Sequence, residues 1–233
     1  MNREQSRISP PLYLEQPLGA YSSDEIEKLV LRFKSAEKGW ITNDSVPARE
    51  RDLLCDIGGS ICKLHLLKGG RWLIVTSNRG SVSYCDLDAD ALTLRELVPP
   101  YTEREYTLQE FAIDIDLAAA SLSFRIALSL YSDNSPTEAL ILQILQVNLL
   151  IGENERPTGL ACSLISSFKP NPPRRPKLLS LLGERVAFSH SPTGSRTSKF
   201  IVIDWVSRNV VVDDEDQELE WKSIVWPILL MPS

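Results

Sequence analysis

The apolar positions of this chain change period once, after Pro47. Before that point one stretch repeats with helical spacing; after it the apolar residues come in short runs of β-branched and aromatic type, separated by turn residues. Residues 1–20, interrupted by Pro10, Pro11 and Pro17, read as an extended lead-in, since proline removes a backbone donor and biases the residue before it away from helix. Ser22, followed three positions later by Glu25, forms a capping-box pattern in which each side chain satisfies a backbone N–H of the other. Ile26, Leu29, Val30, Phe33 and Ala36 then recur on one helical face, Lys34 and Lys38 favour a helix C-terminus, and Gly39 offers a left-handed stop. The pattern predicts a helix over 23–38.

From Ile57 onward the predicted elements are strands: 60–67, 71–77, 81–87, 92–97, 108–117, 122–131, 138–149, 160–167, 177–181, 184–190, 199–205, 209–213 and 222–230. Gly69-Gly70 and Asn78-Arg79-Gly80 supply the positive φ angles that tight hairpins need, so consecutive antiparallel pairing is the simplest topology. Trp72 to Val75 and Phe200 to Ile203 are apolar in succession, as expected of strands covered on both faces.

Strand ends suggest a repeat. Asp86 closes SYCDL before a polar turn and LTLREL, Asp204 closes VIDW before VSRN and VVV, and near the midpoint LILQILQ (140–146) carries glutamine in the corresponding place. Three units of about 59 residues follow, longer than the ~40 to 45 residues of a compact propeller repeat, with the excess assigned to loops 148–159 and 170–176. Four short strands per unit cannot cover both faces of their own sheet, which favours stacked blades. The expected fold is therefore mainly β: one N-terminal amphipathic helix within residues 1–47, then a partial or irregular β-propeller of three to four meander blades over 48–233, with a β-sandwich as its competitor.

Composition narrows the function classes. Hydrophobic residues make up 43% and charged residues 24%, which is ordinary for a folded domain. A net charge of −6 without a dense basic face gives no reason to expect nucleic-acid binding. The longest apolar runs fall well short of the ~20 residues of a membrane helix, and the polar N-terminus lacks a secretory h-region. Four dispersed cysteines (Cys55, Cys62, Cys85, Cys162) do not suggest a disulfide framework, so an intracellular location, cytoplasmic or nuclear, is expected.

Candidate chemistry is thin. Asp114 and Asp116 share a strand face and could act as a carboxylate pair, but with no third ligand placed beside them a solvated strand end is the simpler reading. The acidic run 213–220 reads as an exposed loop. Cys55, Cys62 and His65 lack the close cysteine pairs of a zinc site; Cys62 and Cys85 read as apolar strand fillers, and His65 as structural. Ser189-His190-Ser191 with Asp204 invites a hydrolase reading, yet no nucleophile elbow is present. Asp86 and Asp204 are expected to accept backbone N–H groups as Asx turns do, and Trp72, Trp205, Trp221 and Trp226 to pack in the core. KPNPPRRPK (169–177) reads as an exposed polyproline-like loop. No catalytic, cofactor-binding or metal residue is assigned, and no cofactor.

A helix ending in Lys38-Gly39-Trp40, followed by GGRWLIVTSNRGSVSYCDLD, resembles the region downstream of the F-box in basidiomycete fungal F-box proteins. The resemblance implies a WD-repeat-like propeller that selects protein substrates for a ubiquitin ligase. The chain departs from that pattern: the stretch before Ser22 holds no F-box, so direct docking of a Skp-type adaptor is not expected, and three blades plus strand 222–230 would leave the ring open. The expected function is a non-enzymatic protein-protein interaction module with a protein partner, neither nucleic acid nor membrane. The alternatives are a propeller-type hydrolase or lyase, and a truncated gene product without independent function.

Overall fold

The computed structural model describes residues 14–42, 51–53, 59–101, 106–132, 139–153, 155–170, 175–190 and 198–213. A 3-10 turn, Leu18–Ala20, precedes the helix α1, Ser23–Thr42. Its start is the capping box that the sequence predicts. The Ser22 N–H donates to Glu25 Oε2 at 2.9 Å, and the Glu25 N–H donates to Ser22 Oγ at 3.3 Å. The helix passes Gly39 and ends at Thr42 instead of stopping. A glycine inside a helix costs only about 1 kcal/mol, which the neighbouring turns can absorb. Within 23–35 no side chain is fully buried: Ile26, Leu29 and Phe33 are half-buried, while Val30 and Leu31 are exposed.

Among the described residues twelve strands follow: β1 Ile61–Leu66, β2 Trp72–Ser77, β3 Val82–Asp86, β4 Arg95–Val98, β5 Thr107–Ile115, β6 Ser123–Ser132, β7 Ala139–Ile151, β8 Pro157–Phe168, β9 Leu178–Leu182, β10 Arg185–His190, β11 Lys199–Asp204 and β12 Asn209–Asp213. They form three four-stranded antiparallel sheets, β1-β2-β3-β4, β5-β6-β7-β8 and β12-β11-β10-β9, so within each sheet consecutive strands pair. The expected glycine turns are present, with φ of 97° at Gly69, 76° at Gly70 and 76° at Gly80. The predicted strand 222–230 lies outside the described residues.

Two features of the expected repeat are corrected. First, 148–159 is mostly strand: β7 runs to Ile151 and β8 starts at Pro157, and between them Gly152 N–H donates to the Arg156 carbonyl. Proline is tolerated as the first residue of a strand, which is why Pro157 does not delay β8. Second, the counterpart of Asp86 and Asp204 in the middle sheet is Asn148 and not a residue of LILQILQ. Each third strand closes on its second strand through one backbone bond: Leu87 N–H to the Arg71 carbonyl, Leu149 N–H to Leu122, and Trp205 N–H to Glu184. The residues just before these donors are Asp86, Asn148 and Asp204.

The chain divides into two compact units, Met1–Arg104 with Ile115–Phe124 and Gln146–Ser163, and Glu105–Asp114 with Arg125–Leu145 and Leu164–Ser233; the strands of the middle sheet contribute to both. In the first unit Trp72, Ile74, Val75, Val82, Cys85 and Phe124 are buried. Trp72 stacks edge-on against Tyr84 with ring centroids 5.8 Å apart. In the second unit Tyr131, Leu140, Leu142, Val186, Phe188, Ile201, Ile203 and Trp205 form one apolar cluster. Each large aliphatic or aromatic side chain so buried contributes about 1.5 to 3 kcal/mol. Strand β2 is covered on both faces as its sequence predicts. Strand β11 is not: Ile201 and Ile203 are buried, whereas Phe200 and Val202 are half-buried. The alternation places its second face against less protein than the unbroken apolar run suggests.

Candidate functional site

A polar cluster in the first unit surrounds Arg71, the residue just before β2. The turn that ends β3 brings Asp86 opposite the start of β2, in register with Trp72. Arg71 therefore faces a carboxylate with both ends of its guanidinium: Nε donates to Asp86 Oδ1 at 3.0 Å and Nη2 to Oδ2 at 2.8 Å. Its Nη1 donates to Glu15 Oε2 at 3.2 Å, and Nη2 also reaches the Pro157 carbonyl at 3.4 Å. The guanidinium lies over the Trp72 ring, 4.6 Å from its centroid. A planar fork on an aromatic face, with a two-point carboxylate partner, is the arrangement arginine makes and lysine does not.

Glu15 comes from the irregular segment 14–21, held by polar contacts. The Glu15 carbonyl accepts the Leu122 N–H at 2.6 Å, Gln16 Nε2 donates to the Glu155 carbonyl at 3.0 Å, and Tyr21 Oη accepts the N–H groups of Glu15 and Gln16 at 3.1 and 3.2 Å. Around the same turn, Arg32 of α1 grips Asp88 at 2.8 and 2.7 Å, while Arg51 donates to the carbonyls of Leu87, Ala89 and Asp90.

The two carboxylates on Arg71 titrate in opposite directions. Burial pushes the Glu15 carboxyl up, and the Arg71 charge with the Trp72 indole offsets this only in part, while Asp86 and Asp88 add to the rise. Burial also pushes on Asp86, but the Arg71 hydrogen bonds, the Asp88 N–H and the charges of Arg71 and Arg95 outweigh it and hold Asp86 below the ordinary aspartate range. The Trp72 Nε1 makes no well-aligned hydrogen bond among the described residues, so its help to Glu15 is through proximity.

Asp86 and Asp204 take the Asx-turn role that their positions predict. Asp86 Oδ1 accepts the Asp88 N–H at 3.0 Å, and Asp204 Oδ1 accepts those of Val206 and Ser207 at 3.0 and 2.8 Å. Asn148 accepts the Ser123 hydroxyl at 3.0 Å instead. Asp114 and Asp116 do not act as a pair: Asp114 accepts the Gly183 N–H at 2.7 Å and faces Arg125 at 3.9 Å, while Asp116 accepts the Ala118 N–H at 3.0 Å in its own turn.

The remaining candidates separate. His190 is in register with Lys199 and Asp204 with Arg185, at opposite ends of the β10–β11 pair, about five residues or ~17 Å apart. That distance rules out a Ser189-His190-Asp204 relay; Ser191 lies outside the described residues. Cys85 is buried, but Cys62 is exposed on edge strand β1, at a register shift, and is not a core filler. Burial pushes the Cys162 thiol up to about 11, which leaves it unreactive. Cys55, Trp221, Trp226 and 214–220 lie outside the described residues, and His65 sits exposed on β1. Trp72 and Trp205 are buried as predicted, with Trp205 Nε1 donating to the Gly183 carbonyl at 3.0 Å. Within 169–177, Arg175 donates to Gln109 Oε1 at 3.0 Å and lies 5.8 Å from the Tyr131 ring centroid, so this arginine is engaged and not free in a loop. Among the described residues no group of three or more His, Cys, Asp or Glu is placed to hold a metal ion, and no helix is long and apolar enough to cross a membrane.

The sequence reading missed the Arg71 cradle because its parts are distant: Glu15 lies 56 positions upstream of Arg71 and Asp86 15 downstream. The one local signal was an arginine directly before a buried tryptophan.

No protein-family model matches the chain, no curated protein matches it, and no solved structure matches it. What defines the class is the architecture: a mainly β chain whose described residues form three successive four-stranded antiparallel meanders after one helix.

Proposed function

We propose that the chain is a non-enzymatic interaction module, its three meanders arranged as blades of a partial β-propeller, and that it binds a partner protein along sheet edges and blade-end turns. The observation that carries this reading is strand β1. Among the described residues it is the edge of its sheet, and it exposes Leu64 by 60% and Leu66 by 53% of their surfaces, with Ile61 exposed on the same strand. An apolar strand edge left in water is a template for another chain, and soluble proteins retain such edges where something binds them. The repeated Asx locks at Asp86 and Asp204 support the blade reading, since they recur at the same place in the first and third sheets. The role of substrate receptor in a ubiquitin ligase rests on the resemblance to fungal F-box proteins alone.

The test is affinity purification of the full chain from cells of its source, beside a Leu64→Lys/Leu66→Lys chain. A reproducible partner set lost in the variant supports the module. Adaptor and cullin subunits in that set support the ligase role, and a different partner set sinks that role while leaving the module. Identical, non-specific recoveries for both chains overturn the reading.

A further inference from the structure

The three sheets repeat one lock, and Arg71 is where the first departs from it. Its backbone carbonyl takes the closing bond from Leu87, as those of Leu122 and Glu184 do from Leu149 and Trp205, but the side chains at those two places are leucine and glutamate. The meander therefore does not require an arginine here. Nor does the Asx turn, since Asp204 closes its own on the Val206 and Ser207 N–H groups.

What the arginine adds is a carboxylate receptor. Asp86 and the Trp72 face fix the guanidinium plane, which leaves Nη1 directed at a second carboxylate. In this chain that carboxylate is Glu15, whose side chain is 12% exposed. Its segment docks mainly through hydrogen bonds: in 14–21 only Gln16 is fully buried, and Leu18 is 62% exposed. A segment held by few apolar contacts has a low cost of local release.

We propose that the Arg71 cradle is a binding site for the carboxylate of an acidic peptide segment on a partner protein, with the chain's own Glu15 filling it until such a segment displaces it. The fixed fork of Arg71 sets the geometry of the incoming carboxylate. The proposal rests on the interaction-module reading and names one site for it.

The probe is a fluorescein-labelled synthetic peptide of sequence LEQPLGAYS, a copy of residues 14–22, followed by fluorescence anisotropy on the full-length protein. Glu15→Arg sets a second guanidinium against the first and expels the segment, which hydrogen exchange of amides 14–21 verifies. The freed chain is expected to bind the peptide at least about tenfold tighter than the wild type, whose cradle is occupied most of the time. Alanine in place of the peptide's glutamate, which removes the acceptor that meets Nη1, should remove that gain. So should Glu15→Arg/Arg71→Met, while Arg71→Lys retains only part of it, because it keeps the charge without the fork. Near-ultraviolet circular dichroism shows whether each variant is folded. The proposal is overturned if amides 14–21 stay protected in Glu15→Arg, if the freed chain ignores the peptide, or if binding is indifferent to Arg71. Failure here with partners still recovered through β1 removes the cradle and leaves the module; peptide binding without cellular partners supports the cradle chemistry and removes the module.

Discussion

At the scale of single residues, Arg71 carries two carboxylates of unlike history. Glu15 has its pKa raised in the fold, so its contribution to stability is fully present below the ordinary glutamate value of ~4.3 and is lost as pH rises through the raised one. Asp86 has its pKa lowered, so its contribution is present above the ordinary ~3.9 and is lost as pH falls through the lowered value. Thermal unfolding of Glu15→Gln against wild type should therefore show the variant at least as stable at pH 7, with the difference shrinking toward pH 4. Asp86→Asn should be less stable at pH 7, and its deficit should narrow only below pH ~4. A Glu15→Gln chain that loses stability at pH 7 and recovers it at pH 4 would mean that the Arg71 charge outweighs burial at Glu15. Asp86→Ala leaves a half-buried guanidinium without its two-point partner and should cost about 2 to 4 kcal/mol at neutral pH, measured by denaturant unfolding.

At the scale of elements, the strands were legible because their signals are local. Gly69-Gly70, Asn78-Arg79-Gly80 and the strand-end aspartates mark turns by their own backbone chemistry, and the observed strands fall within a few residues of the expected ones. What stayed hidden depends on residues far apart in sequence. The fit of β8 beside β3 is one case. A Cβ on Gly159 would lie 2.5 Å from Tyr84 Oη and 3.6 Å from Arg95 Nη1, so β8 needs glycine here to clear a tyrosine that is buried. Gly159→Ala should cost about 1 to 3 kcal/mol through overpacking. In a Tyr84→Phe background the obstructing oxygen is gone, and most of that cost should vanish, which a double-mutant cycle measures as a coupling energy. Equal losses in both backgrounds would show that the glycine is required for another reason. The same dependence on distant residues hid the middle-sheet counterpart of the aspartates. The midpoint between Asp86 and Asp204 suggested a glutamine within 140–146, whereas register, which only pairing sets, selects Asn148.

At the scale of the whole molecule, the twelve strands among the described residues form three consecutive meanders whose outer strands have no further strand partner among those residues, and proteins manage such edges with charge, proline or cover. The outer strands are not treated alike. Strand β4 begins with Arg95 and Glu96, and Arg95 Nη1 is tied to the Thr158 carbonyl at 3.0 Å. Strand β1 exposes leucines instead, with Lys63 as its only charged residue. Leu64 and Leu66 sit two positions apart on one face, opposite Val75 and Leu73 of β2. Since both are already exposed, replacing them with lysine removes little native packing and adds charge where a second chain would pair. The purified protein should therefore self-associate as its concentration rises, with Leu64→Lys/Leu66→Lys shifting sedimentation-velocity profiles toward monomer and leaving the unfolding midpoint within about 0.5 kcal/mol of the wild type. A monomeric wild type over the whole range would show that β1 is already covered in solution. Self-association unchanged by the two lysines would move the sticky edge elsewhere, with β12, where Val210 and Val211 are exposed, the next strand to charge.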